Sequence, residues 1–359
     1  MITYLTYVIS PLLVAFFICF LTGKRISTVP KNRKYYLWLC GIIMVFVIGL
    51  RHYSNGSGDS YFYYRQWEAM SAMSLRETVI YCLRTDMEIG FLACEGILSH
   101  IFKNPQFAFI LSGLFFAVSL CLFVHRNSEN VVLPLLIFNC LGLFNFMVQG
   151  MRQGIAICIC LFAIESCKTR KPIRFFLQIA LAMLFHASAI IFLPVYWLYA
   201  LRLDWKSAMI FAGGCVLGWL LLPWLIDIVN FFMNESYAIS TGTKDGSGVV
   251  AIVIYLFIIS FGLFTAYVGH VKGTQNCFIY MAIFGMIALV MRNTISNIAE
   301  RANHYYVCSQ MAIIPMGLQR IQKGPSRMIL TGIIVFLCIG VAVYKASYSV
   351  LIPYLFCWQ

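Results

Sequence analysis

The chain has 359 residues, of which 61% are hydrophobic and 11% charged, with a mean hydropathy of +0.84 and a formal net charge of +13. So little charge excludes an ordinary soluble domain. The basic excess sits in short loops between apolar runs, the ordinary charge bias of cytoplasmic loops, and no aromatic-basic interleaving of a nucleic-acid module appears.

A membrane-crossing helix needs about 20 mostly apolar residues. Such runs lie at 3–22, 35–50, 105–124, 131–149, 207–230, 249–269, 276–292, 303–320 and 327–345, with shorter or fused runs at 153–168 and 173–200. The expected fold is an all-α integral membrane protein, one polytopic domain over 1–359 with about ten to twelve transmembrane helices. The first run lacks a basic leader and a small-residue cleavage site, so it reads as a retained helix. The fourteen cysteines fall mostly inside apolar runs, with no CxxC pair and no His/Cys metal spacing. Cys82 and Cys94 read equally as a disulfide or as two free thiols.

The loop 23–34 carries Lys24, Arg25, Lys31, Arg33 and Lys34, which holds it in the cytoplasm. Residues 51–104 then fall outside and include a moderately apolar piece, 88–102, that reads as an interfacial or re-entrant helix because Glu95 interrupts it. Inside loops follow at 125–130, 168–174, 202–206, 270–276 and 319–327. The alternation requires run 173–200 to be a broken hairpin turning near His186. The segment 231–248 is then an outer-face loop, long enough for a lid or a linker.

This topology gathers arginines on the outer face, against the charge bias, which suggests an anion to be held. Arg51 opens the segment Arg51-His52-Tyr53-Ser54-Asn55-Gly56-Ser57-Gly58-Asp59-Ser60-Tyr61, a phosphate grip beside a turn rich in backbone N–H groups. A Gly/Ser loop with an interfacial anchor is the plainer reading. Arg152-Gln153 opens a helix, whose N-terminus favours an anion, although a snorkelling arginine would look the same. His186, with Ser188, interrupts an apolar run as a base, a phosphate partner or a hydrogen-bonded core histidine. Arg292 and Arg301 flank a polar step, and Tyr305 shares a helix face with Arg301.

These clusters, in order, resemble the EpsG-type family of bacterial polysaccharide polymerases, which is similar to the Wzy-type O-antigen polymerases. The resemblance rests on the Arg51 to Tyr61 segment, Glu88-Ile89-Gly90-Phe91, Arg152-Gln153-Gly154-Ile155-Ala156 with Lys168-Thr169-Arg170-Lys171, Phe185-His186-Ala187-Ser188-Ala189-Ile190 with Leu193-Pro194, and Glu300-Arg301 with Tyr305. It departs in the first loop, where two glycines, Gly56 and Gly58, precede Asp59.

The resemblance implies a GT-C-like glycosyltransferase with an outer-face cavity, in the bacterial inner membrane and facing the periplasm. It implies undecaprenyl-diphosphate-linked oligosaccharides as substrates, inversion at the anomeric carbon, no metal, no cofactor and a chain-length regulator as partner. The matching diphosphate-binding residues are Arg51, Arg152, Arg292 and Arg301, since a planar guanidinium fits phosphate. Asp59, Glu88 and His186 are the catalytic candidates, with Asp59 preferred as base. Tyr53, Asn55, Tyr61, Gln153, Ser188 and Tyr305 are candidates for substrate contact. A flippase for the same lipid-linked sugars would need charges at mid-helix in both halves. An O-acyltransferase would need His186 or a serine beside an acyl donor.

Overall fold

The computed structural model describes residues 2–24, 26, 29–55, 58–232, 249–269, 274–291, 296–347, 349 and 351–359. Among these the chain is helical and holds no β-strand, only one isolated antiparallel bridge between Arg51 and Phe356. The helices are α1 (Ile2–Thr22), α2 (Pro30–Gly49), α3 (Gly58–Ala72), α4 (Leu75–Arg84), α5 (Ile89–Ile101), α6 (Gln106–Asn127), α7 (Val132–Cys140), α8 (Leu143–Gln149) and α9 (Met151–Lys168). They continue as α10 (Pro172–Met183), a 3-10 turn (Ala187–Phe192), α11 (Val195–Leu198), α12 (Trp205–Phe232), α13 (Val249–Val268), α14 (Thr274–Val290), α15 (Ser296–Arg320) and α16 (Pro325–Ala346).

Four of these, α1, α6, α13 and α16, are long and apolar enough on their own to cross a bilayer. Many of their large apolar side chains are exposed, such as Phe16, Phe20, Phe264, Ile329 and Phe336, as lipid contact requires. The protein is an integral, multi-pass membrane protein. The other expected runs form helices that are shorter or carry charge at their ends: α2 holds Lys31, Arg33 and Lys34, and α9 holds Arg152, Glu165 and Lys168.

Run 131–149 is not one straight span. It divides at Leu141 and Gly142 into α7 and α8, bent by 61°. Gly142 has φ 86°, a left-handed conformation that glycine adopts freely, and the Lys345 ammonium donates to the Leu141 carbonyl that the break releases. Run 173–200 breaks as the hairpin reading requires, between the end of α10 at Met183 and the 3-10 turn at Ala187. Cys82 and Cys94 are both free thiols.

Contacts between distant loops order the two ends of the bundle. The Arg33 guanidinium donates to the His125 carbonyl at 2.7 Å, joining two of the expected inside loops. The backbone of Leu50 and His52 pairs with Cys357 and Leu355. The end of α2 and the residues after α16 therefore lie together.

The segment between α2 and α6 is itself helical. Ser74 caps α4 in a reciprocal box: its hydroxyl accepts from the Glu77 N–H, and the Glu77 carboxylate accepts from the Ser74 N–H. The 13 residues of α5 span about 20 Å, short of a bilayer core of about 30 Å. Trp67 of α3 ties to the end of α5 by donating to the Phe102 carbonyl at 2.8 Å.

Candidate active site

Gly90 is the hinge of the site. Its N–H donates to the Leu184 carbonyl at 2.9 Å, so the first turn of α5 lies against the break after α10. A Cβ here would stand 2.7 Å from both the oxygen and the Cβ of Leu184, so only glycine allows this approach. The contact sets Glu88, the residue preceding α5, beside His186.

Glu88 is the centre of a three-residue cluster. One carboxylate oxygen, Oε1, lies 2.6 Å from His186 Nδ1 and accepts from the Ala187 N–H at 3.2 Å. The other, Oε2, accepts from the Arg152 guanidinium at 2.5 Å. Burial alone would push the Glu88 carboxyl up, but the His186 hydrogen bond and the Arg152 charge outweigh it and hold it at about 2. An ionised carboxylate only accepts, so Nδ1 of His186 carries a proton, and the tautomer this selects leaves Nε2 as the acceptor.

Arg152 sits in the first turn of α9, and its Nε also donates to the Tyr63 hydroxyl at 3.2 Å. Tyr63 lies on α3 and is 3% exposed. Nothing in the linear spacing marks it, beyond its position one turn after Asp59. The Asp59 side chain is exposed in the first turn of α3.

A second set of contacts joins α15 to this cluster. The Gln153 amide donates to the Arg301 carbonyl at 2.9 Å. The hydroxyls of Ser188 and Tyr305 share a hydrogen bond at 3.2 Å. The Glu88, Arg152–Gln153, His186–Ser188 and Arg301–Tyr305 segments thus meet in one place.

Arg51 is placed differently. It is fully buried, its guanidinium stacks 3.9 Å above the Phe109 ring, and it donates to the Ile48 carbonyl at 3.2 Å. Its guanidinium also lies 3.5 Å from the Ser60 hydroxyl of α3, which in turn donates to the Val148 carbonyl at 3.4 Å. Asn55 serves the C-terminal tail: its amide donates to the Leu355 carbonyl and its oxygen accepts from the Leu355 N–H. Tyr53 packs against Tyr61 and Tyr64, with ring centroids 5.6 and 5.0 Å away, and Tyr61 stays half exposed. Arg292 and residues 233–248 lie outside the described residues.

Among the described residues no three His, Cys, Asp or Glu side chains gather as a metal site. The arrangement supplies a guanidinium oriented by a carboxylate and a phenol, and a histidine whose tautomer that same carboxylate fixes. It can hold an anion and take a proton from a hydroxyl beside it.

No curated protein and no solved structure matches the chain. The EpsG family model matches residues 34–356, a stretch that includes every residue of this cluster, and the chain belongs to the EpsG family.

Proposed function

We propose that this protein is a polysaccharide polymerase of the bacterial inner membrane. It joins undecaprenyl-diphosphate-linked oligosaccharide repeat units at the periplasmic face, building O-antigen or a related surface polysaccharide by metal-independent, inverting glycosyl transfer. The observation that carries the reading is the Arg152–Glu88–His186 cluster, assembled from three distant segments of an EpsG-family chain.

The chemistry follows from those groups. The acceptor hydroxyl attacks the anomeric carbon of the donor from the side opposite its diphosphate. The C–O bond to the diphosphate breaks, and its electron pair leaves with the phosphate oxygen. Arg152, aided by Arg301, faces that growing charge, and a fixed guanidinium is worth most where charge develops in the transition state. The acceptor proton passes to Nε2 of His186. Glu88 remains ionised, keeps Nδ1–H in place and stabilises the imidazolium that forms. Asp59, exposed at the rim, meets a sugar hydroxyl, and the half-exposed Tyr61 ring offers a stacking face.

The test is polymer length in host cells that carry Arg152→Lys at matched protein level. Accumulation of single lipid-linked units on the outer face supports the reading. Unchanged long chains refute it, and accumulation on the inner face points to a flippase.

A further inference from the structure

Beside the cluster lies an apolar cavity of about 360 Å³. Its walls include Phe91 and Leu98 from α5, Leu111 and Phe115 from α6, and Ile155 and Ile159 from α9. We propose that this cavity seats the first isoprenoid units of the carrier lipid while the phosphate end of the same molecule meets Arg152, an inference that rests on the polymerase reading.

Three chain segments pass directly from the polar cluster into the cavity wall. Met151 lines the cavity and Arg152 follows it; Phe185 lines it and His186 follows; Glu88 is succeeded one turn later by Phe91. The polar and apolar ends are therefore continuous, and the matching ligand is an amphiphile with an anionic head. From Met151 to Ile159 the wall runs about 12 Å along α9. Walls this apolar would leave the hydroxyls of a sugar unpaired, which excludes a sugar unit as the occupant.

Glu95 selects among amphiphiles. It lies seven residues beyond Glu88 on the same face of α5, about 10 Å deeper. It lines the cavity, is 4% exposed, and neither carboxyl oxygen has a hydrogen-bond partner. Burial pushes its carboxyl up to about 8 against the opposing charge of Arg152, so near neutral pH it is mostly an uncharged acid. Both oxygens are shielded within the slot wall and unpaired, so the O–H is left for a hydrocarbon occupant to answer. An isoprenoid chain offers a π bond in every unit as a weak acceptor, whereas a saturated acyl chain offers none.

The experiment uses the full chain in nanodiscs and a prenyl diphosphate bearing a diazirine in its first isoprenoid units. Labelling of the α5, α6 and α9 wall segments supports the inference when undecaprenyl diphosphate competes about threefold better than a saturated alkyl diphosphate of equal length. Glu95→Gln, which keeps a donor, retains that preference, and Glu95→Met loses it. Equal labelling by a diazirine phospholipid overturns the inference. If the chain makes polymer but the label misses these walls, the slot fails and the polymerase reading stands. If the walls label but repeat units are never joined, the slot stands and the polymerase reading fails.

Discussion

Glu88 and His186 are 98 residues apart in the chain, yet Oε1 of one lies 2.6 Å from Nδ1 of the other. The same carboxylate holds Arg152. One acidic residue thus orients both the anion-binding group and the proton acceptor.

Replacing Arg152 with lysine keeps the charge but loses the planar fork that serves Glu88 and Tyr63 together. The expected loss of polymerising activity is on the order of a hundredfold or more. Polymer formed by purified protein from lipid-linked repeat units measures it.

Glu88→Gln retains hydrogen-bonding groups but removes the charge. The wild-type carboxyl is held at about 2 against an ordinary 4.5, so its contribution to stability is present above pH 4.5 and fades as pH falls toward 2. The variant lacks that acid-sensitive component. It is also less stable at pH 7, by roughly 1–3 kcal/mol, a gap that narrows as pH falls below about 4.5, as thermal unfolding on either side of that pH will show.

Glu95 has the opposite sign. Its folded value of about 8 exceeds the ordinary 4.5, so its contribution is complete below pH 4.5 and is lost as pH rises through 8. Arg152 from α9 opposes the rise, and the Cys82 thiol on α4 is close enough to be affected by it. Stability should fall across this window by up to about 1.4 kcal/mol per pH unit. Glu95→Gln removes that slope, which melting curves at pH 5 and pH 8.5 detect.

Gly90→Ala forces a methyl against the Leu184 backbone. A cost of about 1–3 kcal/mol is expected, together with a loss of polymer larger than the loss of folded protein, because Glu88 moves away from His186. Comparing thermal stability with turnover separates the two effects.

Asn55→Ala removes both hydrogen bonds to Leu355. A stability loss of about 1–2 kcal/mol follows. Turnover per folded molecule, measured at saturating substrate, should be unchanged, in contrast to Arg152→Lys.

Much of this site is legible in the linear order of residues. An arginine or a histidine interrupting an apolar run stands out because hydrocarbon penalises it, and Arg152 and His186 declare themselves that way, whereas Glu88 closes a polar stretch with Arg84 and Asp86. Tyr63 does not, because a tyrosine among the aromatics of an interfacial helix is unremarkable until Arg152 is seen against it. Glu95 is visible as an interruption, but its role depends on walls supplied by α6 and α9. Arg51 is misleading in one dimension. A cation after a helix end looks exposed, and its burial depends on Phe109 and on a tail some three hundred residues away. The bend at Gly142 is hidden because mean hydropathy does not register a left-handed backbone.

The pairing of Leu50 and His52 with Cys357 and Leu355 carries a consequence for biosynthesis. Residues 50–55 leave the ribosome early, but their backbone partners are made after α16. This pairing therefore stays open through most of membrane insertion and closes only when residues 355–357 arrive. A nascent chain halted before residue 351 would already hold Glu88, Arg152 and His186, with the rim around Arg51 still open to water or to a chaperone.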